Sequence, residues 1–205
     1  MTYMTLTNWL SLVAICVLGA LSPGPSLAVV LKQSIHNDAK HGMIAGISHA
    51  VGIAIWAILT VTGLGVLVSQ SPAIFQGITY AGAAYLAWLG FKALTAGSSA
   101  IKPLTRGDSA YLQAARDGIM ISLLNPKLAI FFLALFSQFI STDLTHIDQI
   151  IMISTVTIID ASWYVLVALV LSRMGLADAL ARHSKRVNQV SGVIFIALAI
   201  RVVTL

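Results

Sequence analysis

Residues 41–91 contain no Lys, Arg or Asp. A helix crosses the hydrocarbon of a bilayer in about 20 residues. This run is too long for one crossing and fits two, with Ser69-Gln70-Ser71-Pro72 as the turn. In lipid every backbone polar group must be satisfied within the protein, which leaves helices or closed barrels. Barrel strands alternate in polarity over segments of about 10 residues. The runs here are continuously apolar, so the chain reads as all-α. Composition agrees: 58% of the 205 residues are hydrophobic, 9% are charged and the mean hydropathy is +0.92. A soluble domain carries about 25% charged residues, and so short a chain cannot bury this much apolar surface in one globule.

Six transmembrane helices follow, at about residues 7–31, 42–68, 73–92, 113–140, 148–172 and 187–205, within one membrane domain covering 1–205. The segment before residue 7 has no basic residue, and the run after it outlasts a signal-peptide core of about 7–15 residues. It reads as a retained first span. The net charge of +5 and pI near 9.6 do not mark a nucleic-acid binder, because no basic stripe interleaved with aromatics exists. Ten of the twelve Lys and Arg fall in the first, third and fifth links between spans. The positive-inside rule then places these links in the cytoplasm and both termini outside. Cys16 stands alone in the first run, so it forms no intrachain disulfide or thiolate metal site and reads as a small hydrophobe.

Three spans in each half, about 1–98 and 108–205, require the halves to insert with opposite topology. Inverted three-helix repeats of this kind are a transporter architecture. The first span is interrupted at Pro23-Gly24-Pro25 and the fourth at Asn125-Pro126. Pro23 follows Asn8 by 15 residues, and Pro126 follows Tyr111 by the same interval. Proline removes a backbone donor and clashes one turn back. The freed groups are tolerable at membrane depth only when buried in protein or lining a cavity. A helix restarting near Ser26 presents N–H groups and a positive dipole end suited to a carboxylate. Pro23, Gly24, Pro25, Ser26, Asn125, Pro126 and Lys127 are therefore candidate substrate-binding residues; taken alone, each break could also be a packing kink.

Two charges lie deep in spans. Lys127 is roughly 20 Å along its helix and Asp160 roughly 18 Å along the fifth span, from a rise of about 1.5 Å per residue. An intramembrane acid faces the interior, pairs with another group or relays protons. Asp160 is thus a candidate for substrate binding and for proton coupling or gating, with Lys127 as a partner. The bland alternatives are a structural Asp160–Lys127 pair and a snorkelling lysine. Gly42, Gly46 and His49 fall on one helix face, where small residues permit close approach. His49 then faces protein, as a packing histidine or a proton-coupling one. Trp56 and Trp163 could stack on a substrate, although membrane tryptophans more often pack or anchor. Trp88 with Lys92 reads as an interface belt.

Leu21-Ser22-Pro23-Gly24-Pro25, Gly82-Ala83-Ala84-Tyr85-Leu86-Ala87-Trp88-Leu89-Gly90 and Leu124-Asn125-Pro126-Lys127 together resemble the LysE/RhtB family of amino-acid exporters. The likeness covers the whole chain in length, span count and motif order. An acid in the fifth span, here Asp160, is shared with that family. The resemblance implies export of amino acids or close derivatives across the bacterial cytoplasmic (inner) membrane, driven by an ion gradient, with protons as the coupling ion and no cofactor. Cargoes in the family include lysine, arginine, threonine, homoserine, leucine and cysteine. One deep acid favours a neutral or zwitterionic substrate over a dibasic one. The small-residue face of the second span suits either internal packing or a homodimer. Two rivals carry less support. An intramembrane enzyme using His49 and Asp160 lacks a paired nucleophile and a metal-ligand cluster. A structural subunit of a larger complex would need the deep polar residues only for packing.

Overall fold

A computed structural model describes residues 4–22, 24–95, 110–142 and 144–174, and beyond these residues 185–186, 189–190, 192–197 and 199–200. Among the described residues there are helices and turns and no strand. The elements in chain order are α1 (Leu6–Leu21), α2 (Pro25–His36), α3 (Ala39–Gln70), α4 (Pro72–Thr95), α5 (Tyr111–Leu123), α6 (Pro126–Phe136) and α7 (His146–Met174). The last expected span, 187–205, is described only in part, and those positions are helical.

Local chemistry sets the ends. The Thr5 side chain accepts from the Asn8 amide at 3.2 Å and caps α1. Prolines open α2, α4 and α6, where a missing N–H costs nothing. Asn125 caps α6, its Oδ1 accepting from the Lys127 amide at 3.1 Å. Asp148 is fully buried at the start of α7. It accepts from Thr145 Oγ1 at 2.6 Å and from the Met4 amide at 3.1 Å, which ties the N-terminal end of α1 to that of α7.

α3 and α7 are each long and apolar enough to cross a membrane unbroken, over Ala39–Val66 and His146–Val170. Two further crossings arise if each bent pair counts as one span. Leu6–Leu21 and Pro25–Ile35 meet at 58°, and Tyr111–Leu123 and Lys127–Phe136 meet at 56°. The first expected span therefore becomes two helices, and its second piece runs on to His36 instead of stopping at residue 31. Lys32, Gln33 and Ser34 are compatible with helix although not with lipid, so hydropathy alone ends the element too early. Gln33 Nε2 donates to Asp117 Oδ2 at 2.8 Å and joins α2 to α5.

α3 and α7 pack against each other along their lengths, α5 lies on α3, and α1 lies on α7. Small residues set the spacing. A Cβ on Gly46 would stand 2.7 Å from the Tyr164 Cβ, and one on Gly118 would enter the Ala45 carbonyl. The buried side of α7 runs Met152, Val156, Asp160, Tyr164, Ala168, one residue in four, while Ile150, Ile158 and Leu166 on other faces are more than half exposed. An apolar core joins α1, α3, α4, α6 and α7, and a smaller one joins α2, α3, α5 and α7.

Candidate functional site

Asp160 sits on the inward stripe of α7, one turn from Tyr164, and His49 sits on the inward stripe of α3 between Ala45 and Ile53. The two helices bring them together: His49 Nδ1 and Asp160 Oδ2 are 2.7 Å apart. Tyr164 meets the imidazole edge-on, with ring centroids 4.9 Å apart and planes at 68°. His49 is 1% exposed, and its Nε2 has no hydrogen-bond partner among the described residues. Asp160 pairs here with His49, and no ion pair between Asp160 and Lys127 occurs among the described residues. Of the partners left open by depth alone, His49 is the one that meets Asp160, because the inward face of α3 lies across from it.

The pair lies on the wall of a cavity of about 60 Å3. Its polar side comprises His49, Asp160, Tyr164, Lys127 and Ser22. Its apolar side is built chiefly by α6, with Leu128, Phe131 and Phe132, joined by Ile53, Val156 and Phe195. Phe131 packs edge-on to Phe132 and Phe195, with centroids 5.6 and 6.0 Å apart. α1 supplies Cys16, Gly19 and Ala20. A Cβ on Gly19 would stand 3.2 Å from Phe131 Cζ, so the bare α1 backbone lets the ring lie where it does.

Each break contributes one side chain to this wall. Ser22 comes from the end of α1, and Lys127 from the first turn of α6. Gly24, Pro25 and Ser26 form the start of α2 and are not among the lining residues. Ser26 is buried and reaches the cavity indirectly, through contact with the Tyr164 hydroxyl. Pro23 lies outside the described residues. Pro126 opens α6 and Asn125 caps it, and Asn125 is not among the lining residues.

Neither Trp56 nor Trp163 lines the cavity. Trp56 Nε1 donates instead to the Ser122 carbonyl at 3.1 Å. Within a continuous helix that carbonyl would accept from residue 126, which is a proline without an N–H. The indole supplies the missing donor at the break. Trp163 packs against the smaller core, and its buried Nε1 has no partner among the described residues. Lys92 Nζ lies 5.0 Å from the Trp88 ring centre at the end of α4.

Tyr164, Ile53 and Phe131 line the cavity without having stood out in the sequence. Each lies four residues from a deep polar group, Asp160, His49 and Lys127 respectively, and so shares its helix face. That spacing is the signal that could have found them. Phe195 carries no such signal and joins the wall only through packing.

The model for the LysE type translocator family matches residues 17–205. The leucine efflux proteins of Salmonella typhimurium and Salmonella typhi are each 30% identical over 211 aligned positions, covering 99% of this chain and 97% of the relative. An "uncharacterized membrane protein" of Vibrio cholerae serotype O1 is 32% identical over 152 positions, 73% of this chain and 74% of that protein. No solved structure matches the chain. With nearly the whole length matched and its apolar helices in place, this multi-pass membrane protein belongs to the LysE type translocator family.

Proposed function

We propose that this protein exports a neutral amino acid across the bacterial cytoplasmic membrane by alternating access, in exchange for protons. The observation that carries this reading is one cavity with a carboxylate on one wall, Asp160, and an ammonium on another, Lys127, beside an aromatic patch. A zwitterion matches that arrangement. Its carboxylate would take Lys127, and its ammonium would take the negatively charged His49–Asp160 pair. An apolar side chain would fill the space among Phe131, Phe132 and Leu128. The leucine efflux proteins similar to this chain have a name that fits such a cargo.

Alternating access rests on two inverted three-helix halves, with both termini outside. The near-equal bends of 58° and 56°, and the reciprocal packing of α5 on α3 and α1 on α7, support that arrangement. The decisive test is efflux of a labelled amino-acid panel from proteoliposomes, with and without an imposed pH gradient. The wild type is expected to give saturable, gradient-dependent efflux of a few neutral amino acids. Asp160→Asn is expected to lower it at least tenfold, as loss of a charge-assisted contact does. Flux of no panel member, or gradient-driven efflux undiminished in Asp160→Asn, would overturn the reading.

A further inference from the structure

We propose that the Nε2 lone pair of His49 is a single acceptor for which the substrate's ammonium group and the coupling proton compete, which fixes the exchange at one proton per amino acid. The inference rests on the exporter reading above and adds the atom at which the two ligands exclude each other.

An ionised Asp160 sets the tautomer of its partner. An ionised carboxylate only accepts hydrogen bonds. With Asp160 Oδ2 2.7 Å from His49 Nδ1, the neutral ring carries its hydrogen on Nδ1 and donates it to Asp160. Nε2 is then a bare acceptor. It is buried, it belongs to a ring on the cavity wall, and no described residue donates to it. A buried polar atom without a partner is costly and calls for one. The groups facing the ring do not fill that role. Tyr164 from α7 meets it edge-on, and the tyrosine hydroxyl is engaged with Ser26 of α2. Lys127 from α6 and Cys16 from α1 line the same cavity without a hydrogen bond to Nε2, and α5 places no side chain there among the described residues. A donor small enough to enter the cavity is what the site lacks.

A primary ammonium is such a donor. It can give one N–H to Nε2, while the Asp160 carboxylate, bonded to the far side of the ring, counters its charge through the imidazole. When a proton instead binds Nε2, the lone pair is used up and the ring gains a second N–H. The ammonium then loses an acceptor and faces an imidazolium. The proton's positive charge remains on the His49–Asp160 pair, which becomes net neutral. No other bond changes, and the proton returns to water when the next ammonium displaces it. One lone pair holds one or the other, so neither passes in the company of the other.

Equilibrium binding of radiolabelled leucine to the full-length protein in nanodiscs, measured across pH, tests this. For the wild type, simple competition predicts that the apparent Kd rises on acidification, by up to tenfold for each pH unit. His49→Gln is expected to weaken binding, to flatten that dependence and to lose gradient-driven efflux. Asp160→Asn should weaken binding at every pH while keeping the slope. A pH slope retained in His49→Gln but lost in Asp160→Asn would place the proton on the carboxylate and overturn the inference, leaving the exporter reading intact. Should His49→Gln fail to fold, the wild-type ratio of protons to leucine decides, and any value other than one overturns the inference. Absence of leucine binding and of flux in the wild type would overturn the exporter reading itself.

Discussion

The two deep charges differ in what they meet across the helix interfaces. Asp160 is held by His49 at 2.7 Å, and Lys127 stands free of any ion pair among the described residues. A lysine committed to Asp160 would have to be released before it could bind a substrate carboxylate; here it is already disengaged. The apolar end is governed by the contact between Gly19 and Phe131. Gly19→Val would push branched methyl groups into the ring and narrow the cavity. Export of leucine is expected to fall at least tenfold while export of alanine falls much less, since each buried methylene in such a pocket is worth about 0.8 kcal/mol. Competition between labelled leucine and alanine in proteoliposomes checks this, and an equal loss for both would sink the size argument.

At the scale of elements, the two breaks differ in how their backbone groups are satisfied. At the second break, Asn125 caps the outgoing helix and Trp56 of α3 covers the Ser122 carbonyl of the incoming one. Trp56 thereby positions α6, and with it Lys127 and the phenylalanines of the cavity. Trp56→Phe keeps the ring and removes the donor. Leaving a buried carbonyl unpaired costs about 1–3 kcal/mol, so thermal unfolding in detergent should show a lower Tm. Unchanged stability would mean that another donor covers that carbonyl. α3 and α7 need no such device, because each runs unbroken and offers its small or polar residues at intervals of three or four to the other. Gly46 lies directly against Tyr164, one turn from the His49–Asp160 pair, so the close approach of the two backbones is what brings imidazole and carboxylate within bonding distance.

For the whole molecule, the charge pattern predicts orientation, and the prediction can be checked without reference to cargo. In a Cys16→Ser background, cysteine placed at Gln70, at the end of α3, should react with a membrane-impermeant maleimide in intact cells. Cysteine placed at Lys40, near the start of α3, should react only after lysis. The opposite pattern would reverse the topology and with it the direction of export. Much of this architecture was legible in the sequence. Continuous apolar runs dictate helices in lipid, and prolines at 25 and 126 dictate where two of them begin, while ten basic residues in alternate links give only an expected sidedness. These are local rules, each operating within about one helix length of chain. The partnership of His49 with Asp160, 111 residues apart, obeys no local rule. Nor does the pairing of Trp56 with a carbonyl on another helix, or the arrival of Phe195 at the cavity. Depth in a span gives a residue's height in the membrane but not its azimuth, and the azimuth is set by how helices rotate against one another to pack. The sequence by itself therefore determined the helices, their breaks and their expected direction; only the tertiary structure decided which groups at the same height face each other.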